Sequence, residues 1–260
     1  MREVLNLNLD QSLFDYQIEP VADKSILITG GTTGIGRATA ILLASQGARV
    51  MIFGRHEQEL NDAMNDIRQA GGDVLGLTAD VTNPAEIQRV FQQFDQQMDK
   101  LDILINNAAL GYGSIMEGGY PEWEYILKTN LLGYMAMTNE AVQRMKANGW
   151  GHIVNIGSMS ADVREKDSSV YVATKSGIEG FSEALRKEVN SQGIKVTLIE
   201  PGAVGSDMQS QYSPEQQRER IEKMEMMRAE DIAACVLYTI TQPKRVDVVM
   251  LQIRPHLQEI

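Results

Sequence analysis

The chain has 260 residues, 43% of them hydrophobic and 23% charged, with a formal net charge of -11. That balance suits one large globular domain and excludes a general electrostatic attraction to nucleic acid or to anionic lipid surfaces. The single cysteine, Cys235, excludes an intrachain disulfide framework, and His56, His152 and His256 show no metal-ligand spacing, so no metal site is expected.

The first segment, residues 1–23, reads as an N-terminal extension. LNLNLD alternates with period two, whereas Leu9, Leu13 and Phe14 would suit a helix, and the pattern leaves both open. It holds no uninterrupted apolar leader, and no later window offers about 18 uncharged apolar residues, so a cytoplasmic protein with no membrane partner is expected. From residue 24 onward, β-rich runs alternate with helical composition. The runs are SILIT (25–29), RVMIF (49–53), DVLGLTA (73–79), DILIN (102–106), HIVNI (152–156), IKVTLI (194–199) and VDVVML (246–251). Helix starts are marked by TNPAEI, with Thr82 or Asn83 as cap and Pro84 in the first turn, and by YPEWEYI with Pro121. Nearly all-apolar strands alternating with helices predict a doubly wound, seven-stranded parallel α/β sheet covered on both faces, in one domain over residues 24–260. Cys235, in IAACVLY, is expected in the core.

In such a sheet, ligands bind beyond the carboxyl ends of the strands, where the strand order reverses. The first strand runs into TGGTTGIG, Thr29 to Gly36, where three glycines (Gly30, Gly34, Gly36) precede the helix RATAILLAS. Backbone N–H groups at that helix start suit a pyrophosphate, and the competing reading is a turn needed only for close packing. The spacing is T-G-x-x-x-G-x-G rather than G-x-G-x-x-G. Farther along, YVATK sets Tyr171 and Lys175 on one face of a helix, four residues apart. A free phenol, with a pKa near 10, is a poor proton exchanger at neutral pH. An ammonium about 4 Å away, at an effective dielectric near 20, would favour the phenolate by roughly 4 kcal/mol, on the order of three pKa units.

Together these motifs resemble the short-chain dehydrogenase/reductase family over nearly the whole domain. TGGTTGIG is followed in order by Ala79 and Asp80, NNAA at 106–109, Asn130 in KTNLLG, Ser158 in IGSMS, YVATK, and Pro201 and Gly202. Two departures stand out: Ala109 where the family usually has glycine, and Ser206 where threonine is common. The resemblance implies Asn130, Ser158, Tyr171 and Lys175 as catalytic residues. Tyr171 exchanges the proton with the substrate oxygen, Ser158 hydrogen-bonds that oxygen, Lys175 tunes the phenol and holds the ribose, and Asn130 supports a proton relay. It implies a dinucleotide held by Gly30, Thr32, Thr33, Gly34, Ile35, Gly36, Arg55, Asp80, Val81, Asn107, Ala108, Tyr171, Lys175, Pro201, Gly202, Val204 and Ser206. Asp80 serves the adenine, the helix cap near Pro84, or both. Gly54 stands where the family's NAD enzymes usually carry Asp, and Arg55 follows, so NADP(H) is expected ahead of NAD(H).

A small-molecule carbonyl, aldehyde or secondary alcohol is the implied substrate. The C-terminal RVDVVMLQIRP resembles the branch holding NADP-dependent 3-hydroxy acid dehydrogenases and clavulanate-type aldehyde reductases. Residues 205–227 form a candidate lid in which Met224, Met226 and Met227 are pocket wall or helix packing, and Arg164 to Asp167 read as a solvated charge cluster. The helices bearing Asn130 and YVATK imply a homodimer or homotetramer. Three alternatives remain: a non-catalytic NADP-binding sensor or scaffold, an NAD-dependent alcohol dehydrogenase of the same family, and an epimerase or dehydratase, for which the stretch after Gly202 is short.

Overall fold

The computed structural model describes residues 17–258 apart from 207 and 209–211. Most of the predicted N-terminal extension, with LNLNLD, Leu9, Leu13 and Phe14, lies outside the described residues. Its last residues join the fold: the Glu19 N–H donates to the Thr241 carbonyl at 2.8 Å, and Val21 is buried in the core.

In chain order the elements are β1 (Ser25–Thr29), α1 (Gly34–Ser45), β2 (Arg49–Gly54), α2 (Glu57–Gln69), β3 (Asp73–Thr78), α3 (Pro84–Gln97) and β4 (Ile103–Asn106). Next come α4 (Tyr120–Leu127), a π-helical turn (Lys128–Leu132) and α5 (Gly133–Asn148), which run on without a break. They are followed by β5 (Gly151–Ile156), α6 (Ser160–Val163), α7 (Ser169–Val189), β6 (Ile194–Pro201), α8 (Pro214–Glu222), α9 (Ala229–Ile240) and β7 (Met250–Ile253). The strands form one parallel sheet in the order β3-β2-β1-β4-β5-β6-β7, so the order reverses between β1 and β4.

Period-two alternation within buried strands sends successive side chains to opposite layers. Ile26 and Ile28 of β1, with Val50 and Ile52 of β2, pack with Leu43 of α1, Ile67 of α2 and Val236 of α9. Leu27 and Met51 turn the other way, to Phe91 of α3, Met145 of α5 and Val189 of α7. Cys235 packs at the edge of the first layer, and burial raises its thiol pKa. Of the two predicted caps before Pro84, Asn83 is the one used, accepting from the Ala85 N–H at 3.0 Å.

Several strand ends move by one or two residues, as where β3 stops at Thr78 and β6 runs on to Pro201, and the starts of β4 and β7 move as well. Asp102 falls just outside β4, although its backbone still meets both neighbours, its N–H donating to the Ser25 carbonyl and its carbonyl accepting from His152 at 3.0 Å each; its buried carboxylate also accepts the Ser25 N–H at 3.0 Å and pairs with Lys100 at 2.9 Å. The last strand begins at Met250 rather than at Val246, because side chains of β6 take the backbone acceptors that a ladder would use. Lys195 Nζ donates to the carbonyls of Pro243 (2.8 Å) and Val246 (2.5 Å), and the Thr197 hydroxyl donates to Val248 (2.7 Å).

The Thr197 hydroxyl spends its proton on Val248, so the His152 ring beside it must be the donor, through Nε2, at 2.8 Å. Burial, with the nearby Lys195 charge, pushes the His152 pKa down to about 3. The unfolded chain therefore takes up a proton below about pH 6.5 that the native state refuses. Stability is expected to fall from that pH downward towards pH 3, by up to about 1.4 kcal/mol per unit from this residue. Thermal melts between pH 7 and 4 should show a shallower loss in His152→Gln than in the parent.

Candidate active site

The carboxyl ends of β1, β4, β5 and β6 converge on one crevice, built first by hydrogen bonds from β1 to β4. The Thr29 hydroxyl accepts the N–H groups of Asn107 (2.9 Å) and Ala108 (2.8 Å). In return, Asn107 Nδ2 donates to the carbonyls of Thr29 (3.1 Å) and Gly30 (2.9 Å). Gly30 holds the left-handed φ of +62°, and a methyl group on Gly36 would lie 2.2 Å from the Gly30 carbonyl oxygen. Only glycine fits both requirements. Thr33 occupies the N-cap of α1 without a side-chain bond, which leaves helix-end N–H groups able to receive an anion. Ala109 is half-buried in the adjoining turn.

The loop after β4 ties this cradle to the catalytic candidates. Asn130 sits in the π-helical turn, fully buried, where an inserted residue redirects a side chain away from the regular helix face. Its carboxamide accepts the Leu110 N–H at 2.8 Å and donates to the Leu110 carbonyl at 2.8 Å, and also reaches the Thr174 hydroxyl at 3.3 Å. Beneath it, Asn106 donates to Thr138 and Asn155, and Asn155 to Ser182, linking β4, β5, α5 and α7. At the far end of the loop, the Val170 N–H donates to the Gly113 carbonyl at 3.3 Å, next to Tyr171.

Ser158, Tyr171 and Lys175 come together at the end of β5. Ser158 lies near enough to the Tyr171 phenol to lower its pKa, and its hydroxyl accepts the Ser160 N–H at 3.2 Å. The Lys175 Nζ lies 5.7 Å from the centre of the Tyr171 ring and donates to the Ile156 carbonyl at 2.9 Å. The electrostatic expectation is corrected here. Burial pushes the phenol up to about 12, with Glu165 adding to the rise and Ser158 opposing it. Burial also lowers Lys175 to about 8, against the pull of Glu200. Two groups sharing one desolvated pocket are each driven towards neutrality, and this outweighs their mutual attraction.

Asp80, Arg55 and a residue the sequence reading missed, Tyr125 of α4, form one polar cluster where β2 and β3 end. Arg55 Nη1 donates to the Tyr125 phenol at 2.5 Å, and that phenol donates to Asp80 Oδ2 at 3.1 Å. Burial disfavours ionised Asp80, but hydrogen bonds from Thr82 and Tyr125, and the Arg55 charge, hold its pKa below the usual value. Asp80 does not cap α3. Thr32 is buried against Gly54, where an added Cβ would stand 2.7 Å from its side chain, so a carboxylate-bearing residue at 54 would collide with it.

Val81 and Val204 are buried in the core and Ile35 packs partly against it, so contact with a dinucleotide would use their backbones. The Gly202 N–H is tied to the Ile253 carbonyl at 2.7 Å, and Ser206 Cβ would lie 3.4 Å from a methyl group on Gly34. Within the predicted lid, 214–222 is the exposed helix α8, Met226 and Met227 are buried packing, and Met224 is exposed. Another missed residue, Met208, sets its sulfur 3.9 Å from the Tyr171 hydroxyl. Arg164 to Asp167 are exposed, as expected of a solvated cluster.

A sequence model described as "short chain dehydrogenase" matches residues 24–217. The chain belongs to the short-chain dehydrogenase family. It is thereby an oxidoreductase of a family that works with nicotinamide cofactors. An uncharacterised oxidoreductase of Staphylococcus aureus (strain USA300) is 34% identical over 236 residues, covering 90% of this chain and 98% of the relative. One from Staphylococcus epidermidis is 31% identical over the same shares. Among solved structures, a variant of actinorhodin polyketide ketoreductase with NADPH superposes with a TM-score of 0.84 at 28% identity, over 92% of this chain and 98% of the other. A short-chain type dehydrogenase/reductase from Mycobacterium marinum, at 24% identity and TM-score 0.81 over 90% and 95%, shares the fold.

Within this family fold, Gly36→Ala is expected to cost about 1–3 kcal/mol of stability, because the clashing partner is backbone and cannot rotate away. In a thermal-shift assay it should also lose the stabilisation that a saturating nicotinamide dinucleotide gives the parent.

Proposed function

We propose that the protein is an NADP(H)-dependent carbonyl reductase, or the corresponding alcohol dehydrogenase, acting on small ketones, aldehydes or secondary alcohols. The observation that carries this reading is the convergence of Ser158, Tyr171 and Lys175 beside a glycine cradle that a Cβ would fill. The cradle's N–H groups at 30–36 would hold the pyrophosphate. Asp80 would meet the adenine, Arg55 a 2′-phosphate, and Asn107, Ala108, Tyr171 and Lys175 the nicotinamide ribose. Pro201, Gly202, Val204 and Ser206 would border the nicotinamide. NADP(H) is favoured over NAD(H) because Thr32 fills the space a carboxylate would need at position 54, while Arg55 is exposed beside it. The NADPH in the ketoreductase relative supports the same choice.

When bound, the nicotinamide supplies the hydride that reaches the carbonyl carbon. Ser158 orients the carbonyl oxygen, and Tyr171 gives that oxygen its proton, so that the alcohol leaves neutral. With its pKa pushed up to about 12 the phenol is protonated through the neutral range, and it gives that proton only as hydride transfer makes the substrate oxygen a stronger base than the phenolate. Lys175, bonded to the Ile156 carbonyl, stays near the ring to steady the phenolate that forms. Asn130 acts by holding Leu110, which sets the loop flanking the pocket.

Following NADPH absorbance with a panel of aldehydes, β-keto acids, cyclic ketones and sugars should reveal turnover with at least one class. Tyr171→Phe should lower it by roughly 10²–10⁴-fold. Parental activity in that variant would refute the assigned proton donor, and unchanged dinucleotide binding without turnover in the parent would favour the sensor reading.

The same reading includes a cytoplasmic homo-oligomer. Tyr120, Trp123, Leu127, Leu131, Leu132 and Met135 line an apolar groove on α4, the π-turn and α5, and Leu132 is 54% exposed. On α7, Gly177 packs against Leu131, whereas a Cβ on Gly180 would meet open space. Light scattering should give a dimer or tetramer at micromolar concentration and a smaller species for Leu132→Glu. A monomeric parent would refute the assembly.

A further inference from the structure

Arg55 and Asp80 end neighbouring strands and carry opposite charges, yet no direct ion pair joins them. Instead a phenol from α4 stands between them, accepting from Arg55 Nη1 at 2.5 Å and donating to Asp80 Oδ2 at 3.1 Å. A phenol can accept and donate at once, so one residue satisfies a cation on one side and an anion on the other. Arg55 also lies over the ring, with its guanidinium carbon 5.8 Å from the ring centre. Among the described residues this phenol is the one side-chain hydrogen-bond partner of Arg55. Asp80, in contrast, is held independently by the Thr82 N–H at 2.8 Å. Tyr125 is half-buried and fixed to its helix, where its carbonyl accepts the Thr129 hydroxyl, while Arg55 is exposed.

Without the phenolic oxygen, two outcomes are open to the guanidinium. It would move freely in solvent, or it would close on Asp80 as a two-pronged ion pair that uses up its donor fork. Either would take it away from a ligand. We infer that Tyr125 is a positioning residue for cofactor selectivity: by occupying a single Arg55 nitrogen and keeping the guanidinium off Asp80, it leaves the remaining N–H donors aimed for a 2′-phosphate. This rests on the assignment of Arg55 to NADP(H). It adds that the discrimination resides in a relay through β2, β3 and α4, not in Arg55 alone.

The test is binding, independent of turnover, with adenosine 2′,5′-bisphosphate and adenosine 5′-monophosphate as probes in titration calorimetry. Tyr125→Phe should weaken the bisphosphate by roughly tenfold, about the loss of one charge-assisted hydrogen bond, and leave the monophosphate unchanged. The unchanged monophosphate affinity doubles as evidence that the site is folded. Arg55→Ala should abolish the difference between the two probes, and adding Tyr125→Phe to it should then change neither. If Arg55→Ala removes the discrimination but Tyr125→Phe keeps it, the positioning role is wrong while the NADP(H) assignment survives. Equal weakening of both probes by Tyr125→Phe would mean a role at the adenine through Asp80 and would overturn the inference. If Arg55→Ala leaves the discrimination intact, the cofactor assignment and the inference fall together.

Discussion

One carboxamide carries much of this architecture. Both backbone groups of Leu110, its N–H and its carbonyl, are taken by Asn130 at 2.8 Å each. A loop leaving a parallel strand has polar groups that must be satisfied or solvated. Here the satisfaction comes from the helix that follows, so the position of the loop is inherited from packed secondary structure. The same loop roofs Gly30 at one end and meets α7 beside Tyr171 at the other. The glycine cradle and Tyr171 therefore share one rigid connection, and the buried chain Asn106–Asn155–Ser182 extends it through the sheet. The Asn130 amide, with both its oxygen and its nitrogen bonded, locks a single arrangement, since any slip leaves a donor without an acceptor; Asn106 keeps its donor bonded while its Oδ1 stays unpartnered.

Much of the fold was legible because it depends on patterns that are local in sequence. Seven apolar runs and their capping signals gave the sheet, and the order of motifs gave the crevice. Where the reading slipped, a side chain had replaced a backbone partner. Lys195 and Thr197 intercept the carbonyls of residues 243, 246 and 248 ahead of β7. Neither substitution leaves a trace in hydrophobic periodicity. Tyr125 and Met208 were missed for a related reason: their importance lies in which strand end or helix they meet, and no spacing within YPEWEYI or GSDMQS encodes that.

The Tyr171–Lys175 pair shows the limit of reasoning from proximity. Spacing on a helix placed the two groups on one face, and that part held. The sign of the electrostatic effect followed instead from burial, which acts on each group separately and opposes charge on both. Glu200, fully buried on β6 with one unpartnered oxygen, enters the same balance and sustains the ammonium. The resting pair is therefore a protonated phenol beside a lysine whose charge burial opposes and Glu200 supports.

The π-helical turn at Lys128–Leu132 amounts to one residue beyond what a regular helix would need. Each helical residue advances the chain by about 100° around the axis. Excising a single position there would leave α5 and its core contacts in register while swinging all of α4 by about that angle. Tyr125 would then point away from Asp80, and Asn130, which sits in the turn itself, would lose the orientation that holds Leu110. The extra residue thus acts as a phase shifter between two halves of one rod, setting the direction of Tyr125 and of Asn130 at once.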